Sequence, residues 1–198
     1  YDVTVEAIAN KLNLSLENTA KEQDGTGYMG KINHEQALAI NKELGNFTLP
    51  LVYFTDLLYN LREGAKGNKK IYNANGNQID AKMLDSMFNE ITEVRNPWRA
   101  EYLDGKIGNN TITYHKFVNG KFIEVTEELD DCLIKDKTPG IDLGDWLSNP
   151  TSQGLPRKKC KAGNLYYWSP VDGKVAGFYV DSDRANLNCN RNPQNSNA

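Results

Sequence analysis

No stretch of this chain approaches the ~18 consecutive apolar residues that a membrane helix needs, so no membrane span is expected. Histidine is nearly missing. His34 and His115 are the whole supply, which leaves a His-rich metal site or a Ser-His-Asp triad little to be built from. Cysteine is scarce too. Cys132, Cys160 and Cys189 form no C-x-x-C pair, and an odd number leaves at least one thiol unpaired. Reduced, mostly buried cysteines are therefore expected. Positive charge is not in excess: the net charge is -3, and nucleic acid is not an expected partner, because a basic face is its usual footprint. No signal peptide is visible, and since residue 1 is Tyr rather than Met an earlier segment is expected to have been trimmed, which leaves localisation open. Internal repeats and low-complexity linkers are absent as well, so residues 1–198 read as a single domain, long enough for a sizeable core.

What is present divides into helical spacing early and strand spacing late. Val3, Ala7, Ile8 and Leu12 can share a helix face, and a Gly-rich polar loop over 22–31 follows, so residues 1–30 read as an N-terminal helix and loop. A second helix runs from about His34 to Leu44, with Ala37, Leu38, Ile40 and Leu44 as its stripe and Gly45 at its C-terminal cap. Leu51–Leu61 is a third helix, with Gly64 as its stop. Asp80 caps a fourth, in which Met83, Leu84, Met87, Phe88, Ile91 and Val94 recur at three and four until Asn96-Pro97. Met83 and Met87 read as core filler. After Pro97 the period changes. Thr111–Val118 and Lys121–Thr126 flank Asn119-Gly120, a type I′ hairpin signal. Short amphipathic pieces over 127–147 end in Trp146-Leu147, and a loop occupies 148–163. Leu165–Trp168, Val175–Val180 and Arg184–Asn190 read as strands. The expected class is α+β, with helices early in the chain and a small twisted antiparallel sheet late.

The unusual feature is the C-terminal end, where Asn occupies positions 186, 188, 190, 192, 195 and 197. In a strand, alternation places Asn186, Asn188 and Asn190 on one face and Ala185, Leu187 and Cys189 on the other. Asn is a poor strand former, so three on one face ask for a reason other than stability. A row of amides, each both donor and acceptor, is either a plain polar edge or a ligand-contact surface. Codon structure favours the second. Asn codons read A-A-pyrimidine, and randomising their adenines yields many residue types without ever giving a stop. Other groupings are weaker. Asp130, Asp131, Asp142 and Asp145 read as solvated acidic turns, as do Glu124, Glu127 and Glu128 as surface charges, and the basic run Arg157-Lys158-Lys159 with Lys161 as a solvated loop. Trp98, Trp146 and Trp168 read as architecture.

These residues resemble a known family. His34-Glu-Gln-Ala-Leu-Ala-Ile-Asn-Lys-Glu-Leu-Gly45 followed by Thr48-Leu-Pro50 is similar to the early part of the formylglycine-generating-enzyme branch of C-type-lectin-like folds, with Leu51 standing where that branch has Thr. Trp98–Asp104 resembles that branch's Glu-Trp-Thr-Asp region. Tyr167-Trp168, Val175–Phe178, Arg184-Ala185, Cys189–Gln194 and Ser196 are similar to the variable region of proteins diversified by retroelements, in particular archaeal and viral members. Such regions usually continue into a further Ser-Leu-Gly-Val-Arg or Gly-Phe-Arg strand, which is not among the 198 residues.

The resemblance implies ligand display without catalysis from a variable region over 164–198, against an unknown protein or cell-surface ligand and with no cofactor. Its contact positions would be Tyr166, Gly177, Tyr179, Asp181, Asp183, Asn186, Asn188, Asn190, Asn192, Asn195 and Asn197, with Phe178, Val180, Ala185, Leu187 and Cys189 as scaffold. Tyr179 and Tyr166 would be aromatic anchors. The enzyme branch needs a close cysteine pair just upstream, and no Cys lies between Tyr166 and Arg184, so that activity is not carried over. Asn192-Pro193-Gln194 departs from the calcium motif of the sugar-binding branch. An enzyme of the formylglycine-generating type and a structural protein of a virus or phage particle are the two competing readings.

Overall fold

The computed structural model describes residues 10–13, 19–21, 27–29, 32–96, 99–135 and 137–195. The expected helix over 3–12 lies mostly outside them; of its residues Asn10 and Lys11 are helical. Within residues 1–30, expected as a helix and a loop, β1 (Thr19–Lys21) and β2 (Gly27–Met29) pair as a small antiparallel ribbon.

Helix α1 (His34–Glu43) starts on a capping box. Asn33 Oδ1 accepts the Gln36 backbone N–H at 2.9 Å and Gln36 Oε1 accepts that of Asn33 at 2.8 Å, satisfying two of the donors a helix start leaves open. Gly45 follows at φ +70°, where a Cβ would be strained. Helix α2 (Leu51–Ala65) runs a turn past its expected end. Gly64, expected to stop it, lies inside it for a packing reason: a Cβ there would sit 2.6 Å from Leu84 Cδ1 and 2.9 Å from Ile71 Cγ1. Its missing side chain lets α3 (Ala81–Thr92) approach.

Asp80 caps α3 by accepting the Met83 N–H at 2.9 Å. The six-residue apolar stripe expected on α3 is only half used. Leu84 is buried and Phe88 and Ile91 pack against the core, but Met83, Met87 and Val94 are exposed. Met83 and Met87 are therefore not core filler. Among the other described elements α3 packs mainly on α2, and a single helix neighbour covers a narrower stripe than the sequence offers.

The remaining elements are β3 (Arg99–Gly108), β4 (Thr111–Val118), β5 (Lys121–Glu128), β6 (Lys137–Ile141), α4 (Leu143–Ser148), β7 (Leu165–Trp168), β8 (Val175–Val180) and β9 (Ala185–Arg191). Asn119 at φ +50° and Gly120 at φ +80° give the β4–β5 hairpin the twist that its Asn-Gly signal predicts. The seven strands form one sheet in the order β5-β4-β3-β8-β9-β7-β6, with β7 parallel to β9 and the other neighbours antiparallel.

The α+β class stands. The finer layout is corrected on three points. Helix α4 falls among the strands, the sheet is larger and begins at Arg99, and it is mixed rather than antiparallel. Strand β3 escapes a sequence reading because its ladder with β8 is irregular: Tyr102 faces Gly177, but the next pair is Lys106 with Val175. Four steps on one strand against two on the other erase the alternation that marks a strand.

One face of the sheet carries the main core. Leu51, Phe54 and Leu58 of α2 meet Leu103, Ala176, Phe178, Val180, Leu187 and Cys189, joined by Trp146, Leu155, Leu165 and Tyr167. The Phe54 and Phe178 rings lie 5.2 Å apart. Among the described residues no helix is long and apolar enough to cross a membrane.

Candidate functional site

Residues directly opposite each other on neighbouring strands share a face. The register therefore builds two rows on the side of the sheet away from the main core. Ala100, Tyr179, Asn186 and Tyr166 form one, across β3, β8, β9 and β7. Tyr102, Gly177, Asn188 and Trp168 form the next. Five of the eleven expected contact positions, Tyr166, Gly177, Tyr179, Asn186 and Asn188, thus lie side by side. Behind them Ala176, Phe178, Val180, Leu187 and Cys189 are all buried.

Asn190 does not continue the row. Gly177 faces Asn188 while Val175 faces Arg191, so two steps on β8 are matched by three on β9. This bulge is held by Asn188 Oδ1, which accepts the Asn190 N–H at 2.9 Å. It moves Arg191 onto the face instead. The Arg191 guanidinium sits 4.3 Å over the Tyr102 ring, and its Cδ is 3.2 Å from where a Cβ on Gly177 would be. That Cβ would also lie 3.0 Å from the Glu101 carbonyl oxygen, so Gly177 serves as the floor under Arg191. A second stack at the far end places Arg184 4.6 Å over Tyr166, beside a cavity of about 650 Å³ that Tyr166, Asp183 and Arg184 help to line. Tyr102, Trp168 and Arg191 are the members that sequence reasoning missed. Trp168 stands two residues from Tyr166 and was findable by alternation, whereas Tyr102 and Arg191 depend on cross-strand register.

Asn186, expected to face a ligand, is wholly buried. Its Oδ1 lies 3.4 Å from Trp168 Nε1, a long bond, and its Nδ2 has no hydrogen-bond partner. An unsatisfied buried amide costs about 1–3 kcal/mol. Asn186→Leu, close in shape, is expected to stabilise the fold by about 1 kcal/mol or more, since the half-buried Trp168 N–H can turn to water. Urea unfolding checks this, and a lower midpoint at unchanged m-value would contradict it.

The flanking positions have structural tasks. Asp181 Oδ1 accepts the backbone N–H groups of Asp183 and Arg184, both at 2.8 Å, and so closes the β8–β9 turn, leaving Asp183 exposed. Asn192 Oδ1 accepts the Gln194 N–H at 3.2 Å, and Asn195 N–H returns to the Asn192 carbonyl at 3.1 Å. This exposed turn is tied to the face, because the Tyr102 hydroxyl donates to the Asn195 carbonyl and His34 N–H donates to that of Pro193 at 3.0 Å. Asn197, Ser196 and Trp98 lie outside the described residues.

His34 is buried, packs edge-on against Tyr102 at 5.3 Å, and donates from Nε2 to the Leu103 carbonyl at 3.1 Å. Burial holds its pKa below 6.5, the Leu103 bond and the Asp104 charge opposing. A histidine whose pKa is lowered in the folded state contributes stability that is fully present above its unfolded pKa and is lost as pH falls from there through the folded pKa. The melting temperature should therefore decline on acidification from about pH 7 towards 5.5, and less so in His34→Gln, as calorimetry across that window would read.

The other candidates do not converge on a site. Asp142 caps α4 at the Asp145 N–H, Asp145 accepts the Lys161 N–H, Asp131 pairs with Lys158 at 2.9 Å, and Asp130 accepts the N–H groups of Asp131 and Ser152. Glu127, expected as a plain surface charge, accepts from the Tyr114 hydroxyl and from Lys116; burial first, and that carboxylate second, push the Tyr114 pKa up to about 12. None of Cys132, Cys160 and Cys189 is in a disulfide, and all three are buried. Among the described residues no group of three or more His, Cys, Asp or Glu could hold a metal ion. No protein-family model, curated protein or solved structure matches this chain.

Proposed function

We propose that this chain is a ligand-binding or display protein of the C-type-lectin-like kind. Its segment over 164–198 would be diversified by adenine-directed retroelement mutagenesis of the archaeal or viral type. It binds an unknown protein or cell-surface ligand without catalysis.

The observation that supports this reading is the division of labour along β8 and β9. Apolar residues of both strands are buried in the core, while the opposite side carries Tyr166, Tyr179 and Asn188, all part exposed, and leads into the exposed turn at Asn192 and Asn195. A rigid sheet that holds replaceable side chains on one side suits recognition by exchange of residues. The orphaned amide of Asn186 adds support: a residue that burdens the fold is better explained by its codon than by stability. The Asn-rich version of the surface offers hydrogen bonds but little apolar anchoring, so it binds weakly.

Sequencing the DNA around the gene tests this. The expected result is a near-copy of the segment encoding about residues 166–198, differing only at adenines, beside a reverse transcriptase gene. If no such copy exists, the Asn positions return to an ordinary polar surface.

A further inference from the structure

Strands β3 and β4 are paired only over Lys106–Gly108 and Thr111–Thr113. Beyond Thr113 they part, and side chains take over from the ladder. The His115 backbone N–H donates to Asp104 Oδ2 at 2.8 Å, and that of Phe117 to the Tyr53 hydroxyl at 3.0 Å. The segment leading into α2 lies along β3 here, with Asp104 N–H donating to the Leu49 carbonyl at 3.1 Å. Between this gap and α1 is a cavity of about 740 Å³. That size lies within the roughly 300–1,000 Å³ of small-molecule sites.

Its wall combines an apolar side with a small polar centre. Leu38 and Ala39 of α1 face the cavity together with Phe47 and Phe122, whose ring centroids lie 4.2 Å apart with the planes tilted by 33°. The polar centre is Asp104 and His115. Asp104 is buried, and its Oδ2 takes the His115 ring Nδ1 at 3.0 Å in addition to the backbone N–H. A buried carboxylate is costly unless its bonds are satisfied. Here both bonds go to one residue, and their effect is to hold a single imidazole in place. With the Nδ1 hydrogen given to Asp104, Nε2 is the ring nitrogen left for a ligand, on a side chain 38% exposed. Glu35 and Lys42, also in the wall, offset each other in charge. The Asp104 carboxylate makes the centre unfavourable for an anion.

We propose that this cavity is a second binding site, distinct from the β7–β9 face, for a planar aromatic ring that carries a hydroxyl group. The hydroxyl donates to His115 Nε2, and the ring lies against Phe47 and Phe122. Asp104 is the positioning residue.

The test uses the full chain, p-cresol, and 4-methylanisole, the same ring with its donor methylated. NMR titration should show saturable shifts at the His115 ring and Phe122 with p-cresol, and about fivefold weaker binding of 4-methylanisole, the size of one net hydrogen bond. In His115→Phe, which keeps a ring but removes the acceptor, the two probes should bind equally. Equal binding of both probes to the unaltered chain overturns the proposal without recourse to a variant. So does an absence of saturable shifts at His115, or a p-cresol preference that survives in a folded His115→Phe protein.

Discussion

Leu187→Asn is expected to unfold the domain, while Asn190→Ala and Asn195→Ala leave its stability within about 0.5 kcal/mol. Leu187 is wholly buried on the core side of β9, among Phe178, Val180 and the α2 residues. Emptying such a site costs about 2–5 kcal/mol, and an amide buried there without a partner adds about 1–3 kcal/mol. The sum approaches the whole stability of a typical domain, about 5–15 kcal/mol. Asn190 is only part buried, and Asn195 is exposed beyond the strand. Circular dichroism melts of the three variants would decide. A folded Leu187→Asn, or an unfolded Asn195→Ala, would break the separation of scaffold from display on which the proposed function stands.

Trp146→Ala is expected to lose about 3–5 kcal/mol, the range for emptying a large aromatic site. Trp146 is wholly buried, and its Nε1 donates to the Gly154 carbonyl at 2.8 Å, an oxygen that the Thr55 hydroxyl also reaches at 3.1 Å. Gly154, at φ +84°, lets that loop press against α2, for a Cβ there would lie 2.7 Å from Val52 Cα. The indole thus joins α4, the loop after it and α2. Trp146→Phe keeps most of the apolar contact, and Thr55 still serves the Gly154 oxygen, so its loss should be closer to about 1–2 kcal/mol. Urea unfolding of both gives the comparison, and a loss below 2 kcal/mol in Trp146→Ala would mean that the loop is held by something else.

Much of the local structure was legible. Asp80 is a helix start because its oxygen reaches an N–H group that a helix leaves open. Asn119-Gly120 is a hairpin because both residues tolerate positive φ. The buried side of β9 followed from Leu187 and Cys189 alternating, a period that a strand must obey. The candidate face was half legible. Asn188 stands on the side of β9 that alternation gives it, in register with Trp168 and Gly177, but Asn186 is covered and Asn190 is displaced.

The sequence by itself determined the α+β class, the main helix starts, the late strands and the apolar side of β9. Each depends on contacts within a few residues, whose geometry local chemistry dictates. Only the tertiary structure decided that β3 is an interior strand of a seven-stranded sheet, that Arg191 rather than Asn190 joins Tyr102 and Gly177, and that Gly64 packs instead of stopping a helix. Register, bulges and burial are set by which strands and helices become neighbours. A single chain carries no local signal for residues 89 positions apart, such as Tyr102 and Arg191, because their stacking follows from the bulge and the cross-strand pairing together.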